Sequence, residues 1–336
     1  MMITVILCTY NRCHALVGAL ESVAGSIIPG SVEWEILVVD NNSNDRTRAV
    51  VEQSAGRYPG RFRYLFEGKP GKSHALNAGV TAARGEVLAF MDDDVTVDPV
   101  WLDALTAPLR GASEWSGSGG PVILHWSGPP PSWLDIRRPY SMGPLAGFDL
   151  GQQTTELDEP PFGTNMAFRK SMFEKYGLFR TDLGPSPRTD IPRPNEDTEF
   201  GRRLFAGGER LRYVSAAVVH HGVPEERLRK EYFLKWWYDK GRAEIREIGN
   251  PPGDISLRGV PLNLYRRLAV WTFRWLLGLS PAQRFECKLK VRGKLGAIAE
   301  SRRQFAQGRK FPEPQPMGKP AEKTSEKEKE QCTSLV

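Results

Sequence analysis

The chain has 336 residues, 40% of them hydrophobic and 26% charged, with a formal net charge of +6. This composition suits a globular enzyme of one large elaborated domain or two small ones, and it excludes a disordered or fibrous chain. No run approaches the ~20 uncharged residues needed to span a bilayer. Cys8, Cys13, Cys287 and Cys332 show neither C-x-x-C spacing nor a histidine-rich partner segment, which argues against zinc and for free thiols in a reducing cytosol.

Strand and helix alternate over the first hundred residues. Residues 4–7 (TVIL) read as a buried strand, with no basic region, apolar stretch and cleavage site before it, so no signal peptide is expected. A helix follows over 14–24. A second strand (35–39, EILVV) ends at Asp40 in a polar turn, then a helix covers 45–54 and a third strand 62–66. A helix over 73–83 has Ser73 as its expected N-cap. A fourth strand, 87–91, runs directly into Asp92-Asp93-Asp94, and Asp98-Pro99 has the form of a helix start with Asp as cap.

Alternation of this kind implies an α/β fold with a mostly parallel sheet covered on both faces. Ligands bind such sheets beyond the carboxyl ends of the strands. Thr9-Tyr10-Asn11, Asp40-Asn41-Asn42 and Asp92-Asp93-Asp94 all follow strands, so one rim should carry all three. Three adjacent acids repel one another unless a cation sits among them, and hard divalent ions prefer carboxylate oxygens. In an extended chain Asp92 and Asp94 project to the same side. A solvated acidic turn is the competing reading.

Residues 126–162 and 184–195 are loops rich in proline and glycine, lengths that in a compact domain usually carry function. A helix is expected over 225–248, with Leu228, Tyr232 and Trp236 on one stripe, and an apolar segment with three arginines covers 262–279. Residues 309–336, rich in Lys, Glu and Pro, are expected to form a disordered tail.

Six segments, in order, resemble family 2 glycosyltransferases of the GT-A type: TVILCTYNR (4–12), EILVVDNNSNDRT (35–47), KPGKSHALNAG (69–79), GEVLAFMDDDV (85–95), FGTNMAFRKSMFEKYGLF (162–179) and NEDTEFGRRL (195–204). The resemblance spans about residues 3–222. It implies a GT-A catalytic domain over 1–222, with a nucleotide-binding half (1–110) and an acceptor-binding half (111–222), followed by a helical extension over 223–308.

The same resemblance implies the site. Thr9 and Tyr10 line the nucleotide pocket, and Asp40 contacts the base, although an Asp at a turn also bonds its own backbone. Lys72 approaches ribose or phosphate, or is an exposed loop lysine. Asp92 contacts ribose or metal, Asp94 binds the metal, and Asp93 holds a lesser place in the donor site. Asn165 bonds a sugar hydroxyl or caps a turn, and Glu196 borders the acceptor. Asp197 is the general base of an inverting transfer, which needs a proton acceptor on the face opposite the leaving group. One of His220 and His221 completes the metal or diphosphate site; neighbours on a strand face opposite ways, so only one can.

The implied cofactor is a divalent ion, Mn²⁺ or Mg²⁺, and the donor is a nucleotide sugar, with UDP-sugars favoured. The acceptor is a saccharide or a lipid-linked glycan, made for cell-surface polysaccharide or glycolipid. The basic C-terminal helices either bind peripherally at the cytoplasmic face of a membrane or pack on the catalytic domain with their arginines in water. A nucleotidyltransferase on a related sheet is the alternative, although CTYNR offers no glycine-rich phosphate loop. Nucleic acid is not an expected partner, because the strand-end acids would repel its backbone.

Overall fold

A computed structural model describes residues 1–136, 138–187, 194–250, 255–278 and 280–308. The expected tail over 309–336 and positions 188–193 of the second loop lie outside the described residues.

The first half is built as β1 (Met2–Thr9), α1 (Cys13–Ala24), β2 (Glu33–Asp40), α2 (Thr47–Arg57), β3 (Phe62–Phe66), α3 (Lys72–Ala82), β4 (Val87–Asp92), β5 (Val95–Val97) and α4 (Trp101–Thr106). There follow β6 (Trp115–Gly119), β7 (Val122–Trp126), α5 (Pro139–Met142), β8 (Thr155–Glu156), β9 (Met166–Arg169), α6 (Lys170–Tyr176), α7 (Glu196–Ala206), β10 (Arg210–Tyr213) and β11 (Val219–Val223). The C-terminal part holds α8 (Lys230–Ile248), the short pair β12 (Ser256–Leu257) and β13 (Val260–Pro261), α9 (Leu262–Leu277) and α10 (Pro281–Gln307).

Eight strands form one sheet in the order β3-β2-β1-β4-β9-β6-β10-β8. The first four are parallel, as expected for a strand–helix alternation. β9 runs antiparallel to both its neighbours. Register fixes the rim: Thr9 pairs with Asp40, and Cys8 pairs with Asp92, so the ends of β1, β2 and β4 lie side by side. A second sheet, β5-β11-β7, takes over where the large one ends, with His221 opposite Val95 and His220 opposite Thr96.

Two apolar clusters cover the faces of the large sheet. On one side Leu16, Leu20 and Val23 of α1 and Trp101, Leu102 and Leu105 of α4 pack on Ile3, Val5 and Leu7. On the other, Ala75, Leu76 and Val80 of α3 meet an aromatic group in which Phe173 and Phe200 stack at 4.4 Å. Two expected caps are absent. Gly71, at φ +131°, caps α3, while the Ser73 hydroxyl donates to the Leu183 carbonyl. Asp98 sits ahead of α4, which starts at Trp101, and its carboxylate partners His220.

The helix expected over 225–248 begins as a 3₁₀ turn at Glu225–Leu228 and becomes α only at Lys230. α8 and α10 cross closely: a Cβ on Gly241 would lie 1.9 Å from the Gly293 carbonyl oxygen, and one on Gly296 would lie 2.0 Å from that of Tyr238. Beside this crossing Arg246 clasps the buried Glu300 at 2.9 and 3.0 Å, and Arg303 adds a third contact. Burial alone would raise the Glu300 carboxyl, but the arginines hold it below its ordinary value. Glu300→Ala should therefore cost about 3–5 kcal/mol, because it leaves buried guanidinium groups without a counter-charge. Urea unfolding checks this; a loss within the ordinary surface range would show the cluster to be replaceable.

Candidate active site

β4 delivers Asp92 to the rim, and the turn through Asp93 and Asp94 passes the chain to β5. Each acid has its own partners. Asp93 is buried; it accepts the Thr9 hydroxyl at 2.7 Å and a guanidinium N–H of Arg12 at 3.0 Å. Burial pushes its carboxyl up to about 6, against the pull of Arg12. Asp94 gathers Arg12 at 2.7 Å and Arg227 at 3.0 Å on one oxygen, with His221 Nε2 at 3.7 Å. Burial would raise Asp94, but its proximity to His221, Arg227 and Arg12 outweighs it and holds the carboxyl well below the carboxylate range. Asp92 is bound by Lys72 Nζ at 2.6 Å.

Lys72 links two acidic groups. Its ammonium also lies 3.6 Å from Glu196, the first residue of α7. Desolvation works against its charge, yet Asp92 and Glu196 raise its pKa above the ordinary lysine value. Next to Glu196, the Asp197 carboxylate accepts the backbone N–H groups of Gly163 at 2.7 Å and Thr198 at 2.6 Å. A Cβ at position 163 would lie 2.9 Å from Asp197 Oδ2, so a larger residue there would displace the carboxylate. All these side chains line one cavity of about 1200 Å³, which also reaches Tyr10, Trp236 and Lys290.

Glu196 is buried and its carboxyl is raised to about 7, chiefly by burial and then by Asp197, with Lys72 opposing. A raised acid favours the protonated folded form. Its contribution to stability is therefore fully present below pH ~4.5 and lost as pH rises through ~7. Compared with the wild type, Glu196→Gln should show a flatter melting temperature between these pH values. Parallel curves for the two proteins would mean that Glu196 stays ionised throughout.

The family model described as Glycosyl transferase family 2 matches residues 4–177, slightly more than half of the chain. The chain belongs to glycosyl transferase family 2. The chain is 32% identical over 281 residues to "Glycosyltransferase AglE" of Haloferax volcanii, covering 83% of this chain and 81% of that protein. It is 28% identical to "Succinoglycan biosynthesis protein ExoM" of Rhizobium meliloti, covering 71% and 72% respectively. Among solved structures, the mannosyltransferase PcManGT of Pyrobaculum calidifontis, in complex with GDP-Man and Mn²⁺, superposes with a TM-score of 0.53 at 19% identity, covering 92% of this chain and 76% of that one. That likeness shows the shared GT-A fold. Family membership makes the chain a glycosyltransferase and sets aside the nucleotidyltransferase alternative.

In this glycosyltransferase, Thr9, Tyr10, Lys72, Asp92, Asp93, Asp94, Glu196, Asp197 and His221 come together in the cavity. Three expected positions fall elsewhere. Asp40 does not line the cavity: its oxygens accept the Ser43 N–H and the Tyr64 hydroxyl, and its neighbour Asn41 forms the wall while pinning Gly71. Asn165 is fully buried and its amide is spent on Trp101 Nε1 and the carbonyls of Pro121 and Ala217, so it ties these segments together and does not line the cavity. His220 turns away to Asp98 at 2.7 Å and His125 at 2.8 Å, which leaves His221 as the inward member.

Arg12 and Arg227 are the residues the motifs did not single out. Arg12 closes the TYNR segment and its position was a signal, but Arg227 stands 133 positions from Asp94 in a run of other basic residues, where nothing marks it. The cavity wall from α8 and α10 was equally hidden, since only the helix crossing brings Trp236, Lys240, Glu286 and Lys290 beside the rim.

Among the described residues no three His, Cys, Asp or Glu side chains stand close enough to hold an ion by themselves. The donor set is Asp94 with His221 beside it, on an oxygen that already attracts two guanidinium groups. This set fits a hard cation that takes most of its oxygens from a diphosphate and water, and it does not fit a closed all-protein site. Among the described residues no helix is long and apolar enough to cross a membrane.

Proposed function

We propose that this chain transfers a sugar from a nucleotide-diphosphate sugar to a hydroxyl of a saccharide or lipid-linked acceptor, with inversion at the anomeric carbon. The observation that supports this most is the lysine span: Lys72 joins Asp92 at 2.6 Å and Glu196 at 3.6 Å, so the acidic turn and the start of α7 face one another across a single ammonium.

In this reading Asp94 would hold a divalent cation together with His221, whose Nε2 is freed when Arg227 turns away, and Arg12 and Arg227 would turn from Asp94 to the diphosphate, to which guanidinium forks are well matched. A bound cation supplies Lewis acidity that offsets charge on the departing diphosphate. PcManGT, with its GDP-Man and Mn²⁺, makes such a pairing reasonable here. Lys72 places a further positive charge between the donor and acceptor ends. Asp197, kept in orientation by the N–H groups of Gly163 and Thr198, takes the proton of the acceptor hydroxyl. The acceptor oxygen bonds to the anomeric carbon, the bond to the diphosphate oxygen breaks, and the proton ends on Asp197.

A thermal-shift screen of UDP-, GDP- and dTDP-sugars with Mn²⁺ selects the donor, and the anomeric configuration of the product is then read by NMR. A product that retains the donor's configuration overturns the inverting mechanism. Absence of stabilisation by every nucleotide sugar, with and without metal, overturns the donor class.

A further inference from the structure

We propose that the outward face of α9 and the basic pocket beside it dock the protein on a bilayer containing anionic phospholipid. This proposal does not depend on the transfer reading, except that it places a lipid-linked acceptor within reach of the cavity.

The orientation of α9 is the first observation. The helix contains three arginines and no acid, and none of its residues is buried. An amphipathic helix ordinarily turns its apolar stripe to the core. Here Leu262, Val270, Phe273, Leu276 and Leu277 share the outward face, and the last three are 64%, 65% and 60% exposed. Among the described residues nothing packs over this face. The inward side is held by aromatic–cation contacts with α10: Lys290 lies 4.3 Å from the Trp271 ring and Lys288 lies 5.7 Å from that of Trp275. The helix is therefore anchored from beneath while its apolar stripe faces outward.

Charge is the second observation and decides the occupant. Arg266 lies within the outward stripe, and Arg267 and Arg274 flank it; all three are exposed. At the C-terminal end of the stripe a pocket of about 460 Å³ is lined by Lys230, Arg284, Lys288, Trp275, Phe285 and Pro281, with three cations and no acid. An apolar stripe bordered by cations, next to an acid-free pocket with room for a phosphate-bearing headgroup, complements acyl chains beneath anionic headgroups. A second copy of the chain would bring the same positive charge to the interface and be repelled.

The third observation connects the face to the catalytic end. Lys290, which lies over Trp271, also lines the large cavity. The thickness of α9, about 10 Å, then separates the bilayer from the cavity wall, a placement that suits an acceptor whose glycan enters the cavity while its lipid stays in the membrane.

The test is co-sedimentation of the full chain with vesicles of phosphatidylcholine, with and without phosphatidylglycerol. Binding should be at least about tenfold tighter to the anionic vesicles and weaken with salt. Phe273→Ser/Leu276→Ser/Leu277→Ser should abolish it. Arg284→Gln/Lys288→Gln should weaken it about thirtyfold, roughly fivefold for each cation lost at an anionic surface. The triple variant should melt as the wild type does, since it alters exposed positions; Arg284→Gln/Lys288→Gln, which also removes the Lys288 contact with Trp275, should melt slightly lower, and both should keep any donor-induced thermal shift. Asp197→Asn should bind vesicles normally, so failure of the transfer reading would leave this result standing. No vesicle binding, or equal binding by the wild type and the triple variant, overturns the proposal. So does a concentration-dependent dimer in light scattering that the triple substitution dissolves, because the face would then belong to a second copy.

Discussion

Asp197→Asn is expected to lower kcat for transfer by about 10²–10⁴-fold while leaving donor affinity within a factor of about two of the wild type, the scale of a lost general base. The substitution is nearly isosteric, but the amide keeps only one acceptor oxygen. One of the Gly163 and Thr198 N–H groups that now donate to the carboxylate then faces an NH₂. A small drop in melting temperature should accompany the loss of rate, and Gly163→Ala should cause a larger one, because its Cβ would meet the carboxylate at 2.9 Å. Donor binding is read by calorimetry and transfer by product formation. A variant that loses donor affinity at unchanged kcat would place Asp197 in the donor site and leave the base to be sought at Glu196.

Asp94→Asn should cut metal-dependent transfer by about 10²–10³-fold, the rate equivalent of losing several kcal/mol of charge stabilisation at the leaving group. The structure adds a second, less obvious outcome. Asp94 is the shared counter-charge of Arg12 and Arg227, and the amide leaves Arg227 without it and Arg12 with Asp93 alone. Nucleoside diphosphate in the presence of EDTA should therefore bind the variant at least as tightly as the wild type, whereas Mn²⁺ should no longer improve binding. Calorimetry with and without metal separates the two effects. Full metal-dependent activity in the variant would remove Asp94 from the cation site.

The two predictions test different ends of one cavity, and Lys72 is the piece that couples them. Its ammonium is shared by Asp92 and Glu196, so a charge change at either end alters the field at the other. This is why the pH behaviour expected of Glu196→Gln should be measured on the protein without donor as well as in its presence.

The sequence alone determined the parallel half-sheet, the strand-end rim and the acidic turn. Those features are written locally: β-branched runs make buried strands, polar turns end them, and period and order give the topology. The opposition of His220 and His221 also follows from strand geometry, but not which of them faces inward. Only the pairing of β11 with β5 decided that, by setting His221 opposite Val95, next to Asp94. Contacts across long stretches of chain decided the rest. Asn165 and Trp101 are 64 positions apart and spend the amide that the motif suggested for sugar. Arg227 reaches Asp94 across 133 positions. The side of α9 that meets water depends on what α10 offers beneath it, and Lys288 and Lys290 under two tryptophans turn the apolar stripe outward. Local propensity fixes an element and its faces, whereas the partner of each face is settled by tertiary packing, through residues that the local pattern cannot pair.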